Sequence, residues 1–265
     1  MMNTPSEKSQ KSTSKPLTSE PLALPHSPAY TPFRTTFATL SLHRGDRIRF
    51  FAFPQSDLDT FRAVIKSYWK KGISKEDVYG PAFEFKLNGL PWMDTSDDVL
   101  TSRVLMREIL ACLYKTGWIL HACTDIVTDF YENDTLIFRK QQHPPPASEW
   151  ISISLHEYDK LWLIGANMEL ISATKEVLTN FGSLQEDRTW QAEFFGVWEF
   201  RIKRKPWFAP AKETMNTRLL LLKILECLEG LGWSLYANVA HSMVGHDTWY
   251  CVKEKEWIEG MVVLH

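Results

Sequence analysis

Alternation is the first pattern in the chain. Apolar residues occupy every second position through Leu40 and Leu42, and a polar HRGD turn (43–46) follows. The alternation then resumes in Arg47-Ile48-Arg49-Phe50-Phe51. A period of two on both sides of a short polar break predicts a β-hairpin with one buried face. The period then changes. Phe61, Val64 and Ile65 share one stripe between Asp57 and about Tyr68, which predicts an amphipathic helix. The stretch EFKLNGLPW (84–92) reads as a strand that Pro91 ends, because proline cannot donate to a ladder. Leu105, Ile109 and Leu113, at spacings of four, predict a second helix over about Thr101 to Lys115, with Gly117 placed for a left-handed cap. Extended segments at Trp118–Leu120 and Thr135–Phe138 close the series.

The whole series then recurs. Ile151-Ser152-Ile153-Ser154-Leu155, the turn HEYD and Lys160–Leu163 repeat the hairpin. A helix from Glu169 to about Phe181 follows, then EFRIKRKPW (199–207), a helix from about Asn216 to Leu231, and strands at Trp233–Leu235 and Thr248–Val252. An offset of 115 carries EFKLNGLPW onto EFRIKRKPW, Arg103 onto Arg218, Leu105 onto Leu220 and Gly117-Trp118 onto Gly232-Trp233. An offset of 113 carries LSLHRGD (40–46) onto ISLHEYD (153–159), and Asp134 onto Asp247. Matches in fixed order mean a tandem duplication. The expected fold is α+β, two copies of a roughly ββαβαββ unit with helices packed on mainly antiparallel sheets.

Composition places the boundaries. Residues 1–35 form a Ser/Thr/Pro-rich tail whose composition reads as disorder, with Thr4-Pro5, Ser27-Pro28 and Thr31-Pro32 suited to proline-directed phosphorylation. The first repeat spans 36–140, a Pro-rich linker 141–149 and the second repeat 150–265. The short linker and abundant Trp predict copies that pack together, with edge-to-edge pairing of the sheets as a pseudo-dimer the arrangement to test.

Charge and cysteine usage remove several functions. A net charge of −2 over 265 residues argues against a protein that coats nucleic acid. The most apolar run, residues 219–233, is broken by Lys223, Glu226 and Glu229, so it predicts a helix on a core and no membrane contact. The N-terminus has no hydrophobic signal region, so a cytoplasmic or nuclear location is expected, not secretion. Cys112, Cys123, Cys227 and Cys251 form no CxxC pair and sit in apolar segments, which predicts buried free thiols.

The candidate chemistry is sparse. His43 with Asp46 and His156 with Asp159 could ligate a metal or form an acid–base couple. With no third ligand in view, a hairpin turn is the expected reading. Arg103 and Arg218 stand near the starts of matching helices, where a cation opposes the helix dipole. Each therefore calls for a carboxylate (Glu84 and Glu199, or Asp134 and Asp247) or an anionic ligand. His241, His246 and Asp247 occupy a loop whose histidines have no counterparts, the first place to seek an enzyme site between the repeats. His121 and Cys123 show no activating arrangement. Trp118 and Trp233 read as core anchors. Trp69, Trp190, Trp198 and Trp257 lack counterparts, so any that is exposed would be a contact for a partner.

The most basic run supplies one more candidate. In an extended strand Arg201, Lys203 and Lys205 point one way and Phe200 and Ile202 the other. Only Lys203, Arg204 and Lys205 are peculiar to the second copy, where they replace Asn88, Gly89 and Leu90. A charged edge that discourages strand pairing and an anion-binding surface both fit. No phosphate loop, dinucleotide fingerprint, nucleophile elbow, zinc-protease helix or calcium loop appears. The expectation is a non-enzymatic protein-interaction module with a protein partner and no cofactor. Nucleic-acid or anionic-ligand binding through Arg201, Lys203 and Lys205, with Arg103 and Arg218 as further anion contacts, is the first alternative. An enzyme site between the repeats is the second.

Overall fold

A computed structural model describes residues 34–93, 98–124, 132–192, 195–210, 212–241 and 247–263, with backbone alone at 132–134, 190–192 and 195. The phosphorylation dipeptides, His246 and the side chains of Asp134 and Trp190 lie outside the described residues.

The first repeat runs β1 (Phe37–His43), β2 (Arg47–Phe51), α1 (Gln55–Tyr68), β3 (Ile73–Tyr79), β4 (Ala82–Leu87), α2 (Val99–Lys115), β5 (Trp118–Thr124) and β6 (Glu132–Lys140). The second runs β7 (Ser148–His156), β8 (Lys160–Ile164), α3 (Met168–Asn180), β9 (Leu184–Ala192), β10 (Phe195–Ile202), α4 (Thr214–Gly230), β11 (Ser234–Val239) and β12 (Thr248–Glu254). A short 3-10 turn at Pro206–Phe208 precedes α4. The strand orders β3-β4-β2-β1-β6-β5 and β9-β10-β8-β7-β12-β11 are the same order twice, all antiparallel. The chain is a tandem duplicated α+β fold, and each copy reads ββαββαββ.

The extra strands, β3 and β9, are the ones that alternation does not reveal. Each sits at a sheet edge with a single neighbour. ISKEDVY in β3 is exposed at every position after Ile73, so nothing selects an apolar alternation there. Charged residues on such an edge discourage pairing with other chains.

One face of each sheet meets its own helices. In the first repeat Leu40, Leu42, Ile48, Phe50 and Phe85 pack with Leu58, Phe61 and Ile65 of α1 and with Leu105, Ile109 and Leu113 of α2. In the second, Ile151, Ile153, Leu161, Leu163 and Phe200 pack with Leu170, Leu178, Leu220, Ile224 and Leu228. Leu87 N–H donates to the Asp46 carbonyl and Ile202 N–H to that of Asp159, so the repeated Asp residues pin the turn to the strand end in both copies.

The copies pack together head to tail, not as an edge-to-edge pseudo-dimer. Val99, Leu100 and Val104 of α2 meet Trp162, Ile164 and Val197 on the outer face of the second sheet. Ala237, Val239 and Tyr250 of that face join the first repeat's core. The layers therefore run first sheet, α1 and α2, second sheet, α3 and α4. The edges at β5 and β11 approach without sharing a ladder, bridged where Leu120 N–H donates to the Tyr236 hydroxyl at 2.7 Å. The physical reason lies in α2. It and α4 are both 17 residues long, yet α2 buries nine side chains and α4 three, because only α2 is covered on two sides. Among the described residues, no helix is long and apolar enough to cross a membrane.

Candidate interaction surface and the basic turn

The two candidate arginines, related by the repeat, have opposite surroundings. Arg103 is buried at 1% exposure in the layer between the copies. Arg218 is exposed and donates to Thr214 Oγ1 at 3.1 Å, within its own helix. The two glutamates proposed for them serve other cations. Glu84 accepts from Arg47 Nη1 at 3.0 Å and Arg49 Nε at 2.7 Å. Glu199 accepts from Arg188 Nε at 2.7 Å and from the Trp162 indole at 2.6 Å. Both carboxylates are buried, so the repeated glutamate is a structural anchor on the sheet, with its partners exchanged between copies.

His43 belongs to the first of these networks. Arg49 Nη1 can only donate, so His43 Nδ1 accepts from it at 3.2 Å and Nε2–H donates to Ser41 Oγ at 2.7 Å. Burial, then the charge of Arg49, lowers the His43 pKa to about 4. Its counterpart His156 stacks on Trp162 with ring centroids 3.7 Å apart. His241 is fully buried rather than solvated: it hydrogen-bonds the Tyr250 hydroxyl, and burial followed by the charge of Arg103 pushes its pKa well down. Asp247 instead accepts from the Asn238 amide at 2.6 Å. Among the described residues, no three His, Cys, Asp or Glu side chains gather as a metal site.

All four cysteines are free, and Cys123 is exposed, where the apolar flanks predict burial. Burial raises the thiol pKa of Cys112 to about 11. Trp118 and Trp233 are buried as core anchors. Trp69 is buried as well, and Trp198 and Trp257 are half-buried, so none of these offers a large exposed contact.

The row of cations also breaks up. Strand β10 ends at Ile202, and Lys203 to Lys205 lie in a turn with Arg204 at φ 67° and Lys205 at φ 47°. Alternation therefore stops applying after Ile202. Arg201 faces two carboxylates, Asp159 at 3.3 Å and Glu186 at 2.9 Å. Lys205 lies over the Tyr158 ring at 5.7 Å. Among the described residues, Lys203 and Arg204 have no ion-pair partner.

Another surface emerges only from the stack. At the repeat offset of 115, Leu100, Val104 and Arg107 correspond to Met215, Leu219 and Leu222. The first three face the second sheet, Arg107 through a 3.4 Å hydrogen bond to the Ile164 carbonyl. Met215, Leu219 and Leu222 instead face outward, with exposures of 63%, 46% and 56%. At the opposite end of the stack, the outer face of the first sheet carries Arg49 where the second carries Trp162, and Arg139 where the second carries Val252. The outer face of the first sheet is thus mixed, with exposed Phe37 and Phe51 beside these arginines.

Both halves present the same strand order around the same helix pair, and a single domain-family model matches each of them, over residues 36–139 and 149–252. The chain belongs to that family. No curated protein matches it at a significant level. The family domain therefore occurs here as a tandem pair whose shared positions are the sheet cores, the glutamate anchor and the capping glycines. The two domains of this family member differ at their outer faces.

Proposed function

We propose that the chain is a non-enzymatic protein-interaction module that docks a partner on the outer face of α3 and α4. The carrying observation is the exposed stripe Met215, Leu219 and Leu222, at the positions the first repeat uses to hold a second sheet. Exposed apolar residues gathered at helical spacing mark contact sites more often than scattered ones do. The internal precedent gives the partner's chemistry: a twisted sheet face carrying aromatic and β-branched side chains, as Trp162, Ile164 and Val197 provide within the chain.

A photo-crosslinking residue at Leu222, used in cells and read by mass spectrometry, tests this. Crosslinks to strand residues of one partner are expected, and Leu219→Glu should abolish them while leaving the fold intact. Crosslinks that survive Leu219→Glu, or that never exceed those from a control position at the exposed Lys175, would overturn the reading. The cations speak less for nucleic acid, since Arg201 is held by Asp159 and Glu186, and Lys203 and Lys205 do not extend its row.

A further inference from the structure

The basic turn acquires a different meaning beside its counterpart. In the first repeat the chain leaves α1 through Trp69 to Lys71. Trp69 is buried, and its indole donates to the Asn88 carbonyl at 2.9 Å. The Asn88 amide donates to the Lys71 carbonyl at 2.7 Å, and Lys71 Nζ pairs with Asp98 at 2.6 Å. Gly89, at φ +86°, lies so close to the start of α2 that a Cβ there would stand 2.9 Å from Asp98 Oδ2. Turn and helix start close directly on one another, over an indole that fills the space.

The second repeat changes each part of that closure. Only Phe181 and Gly182 separate α3 from Ser183, whose carbonyl receives Lys203 N–H as Gly72 receives Asn88 N–H, so no residue takes the place of Lys71. Arg204 stands where Gly89 stood, still left-handed at φ 67°, and its side chain denies the helix start the same approach. Glu213 takes the position of Asp98. The result is a pocket of about 450 Å³ with Phe181, Ile202 and Leu220 as apolar lining and Lys203, Arg204 and Glu213 as charged groups. That volume lies in the range of small-ligand sites.

We infer that this pocket is a binding site for a small organic monoanion with an apolar body. Lys203 and Arg204, which have no carboxylate partner among the described residues, would take the anionic head. The apolar lining would take the body. The Glu213 carboxylate on the same wall disfavours a second negative charge, which selects a carboxylate over a phosphate dianion. The site shares no residue with the docking stripe, so the two readings stand or fall separately.

The test is an NMR titration of the full chain with 3-phenylpropionate, phenyl phosphate and inorganic phosphate. The variant Lys203→Asn with Arg204→Gly installs residues that the same turn carries in the first repeat, so its fold is not at risk. For 3-phenylpropionate we expect saturable shifts at the Ile202 and Leu220 methyls. Affinity should fall at least tenfold in the double variant and weaken with salt. Three outcomes would each overturn the inference: no saturable binding of 3-phenylpropionate, equal binding in the double variant, or phosphate binding as tight as the aryl carboxylate.

Discussion

His43 shows how one buried side chain sets a pH response. With Nδ1 accepting from Arg49 and Nε2–H donating to Ser41, a second ring proton would face a guanidinium. The folded-state pKa near 4 lies below the ordinary value of 6.5, so the unfolded chain takes up a proton first as pH falls. Stability is therefore full above about pH 6.5 and is lost as pH drops towards 4. The loss attached to this residue is about 2 kcal/mol at pH 4.5. Urea unfolding at pH 7 and pH 4.5 should show that much less acid sensitivity in His43→Gln than in the unaltered chain. His241, buried and held near Arg103, acts in the same direction and accounts for part of the slope that His43→Gln leaves.

At the scale of elements, the two capping glycines offer a matched comparison. Gly117 and Gly232 follow α2 and α4 at φ +83° and +82°, so alanine at either pays the left-handed cost of about 1–2 kcal/mol. A Cβ on Gly117 would have its nearest neighbour at 3.7 Å, whereas one on Gly232 would stand 2.3 Å from the Trp257 ring. Gly232→Ala should thus cost about 1–3 kcal/mol more than Gly117→Ala in denaturant unfolding, and Trp257→Ala added to Gly232→Ala should narrow the gap. The caps, core helices and core strands are legible in the sequence because burial on one face imposes a period. Edge strands β3 and β9 are not, since exposure on both faces imposes none. The turn at Lys203 to Lys205 hides for another reason: two left-handed residues there are not glycine, so nothing in the residue types announces that the strand has ended.

For the molecule as a whole, the stacking of the copies decides what each repeated position does. Val104 and Leu219 occupy the same place in the repeat, but one is buried at 2% exposure and the other is open. Val104→Ala should cost about 2 kcal/mol and Leu219→Ala no more than about 0.5 kcal/mol, read from urea midpoints. Equal costs would mean that α2 is not clasped between the sheets. Helical periodicity cannot convey this clasp, because an extra apolar side on α2 resembles the open apolar side of α4. The candidate pocket is equally hidden: Arg204 in place of Gly89 can be read in the sequence, but the closure that it removes shows only in the first copy's geometry. Comparing the copies residue by residue separates them: Arg49 against Trp162 and Val104 against Leu219 distinguish a covered face from an open one.

The clasp also has a consequence for synthesis. Translation runs from the first repeat to the second, so α2 is complete well before Trp162, Ile164 and Val197 exist to cover it. At roughly 5–20 residues per second, Val99 and Val104 stay without their cover for about 5–20 s. During that interval the nascent chain presents a finished domain with one unfinished side, the state in which a ribosome-associated chaperone has most to hold.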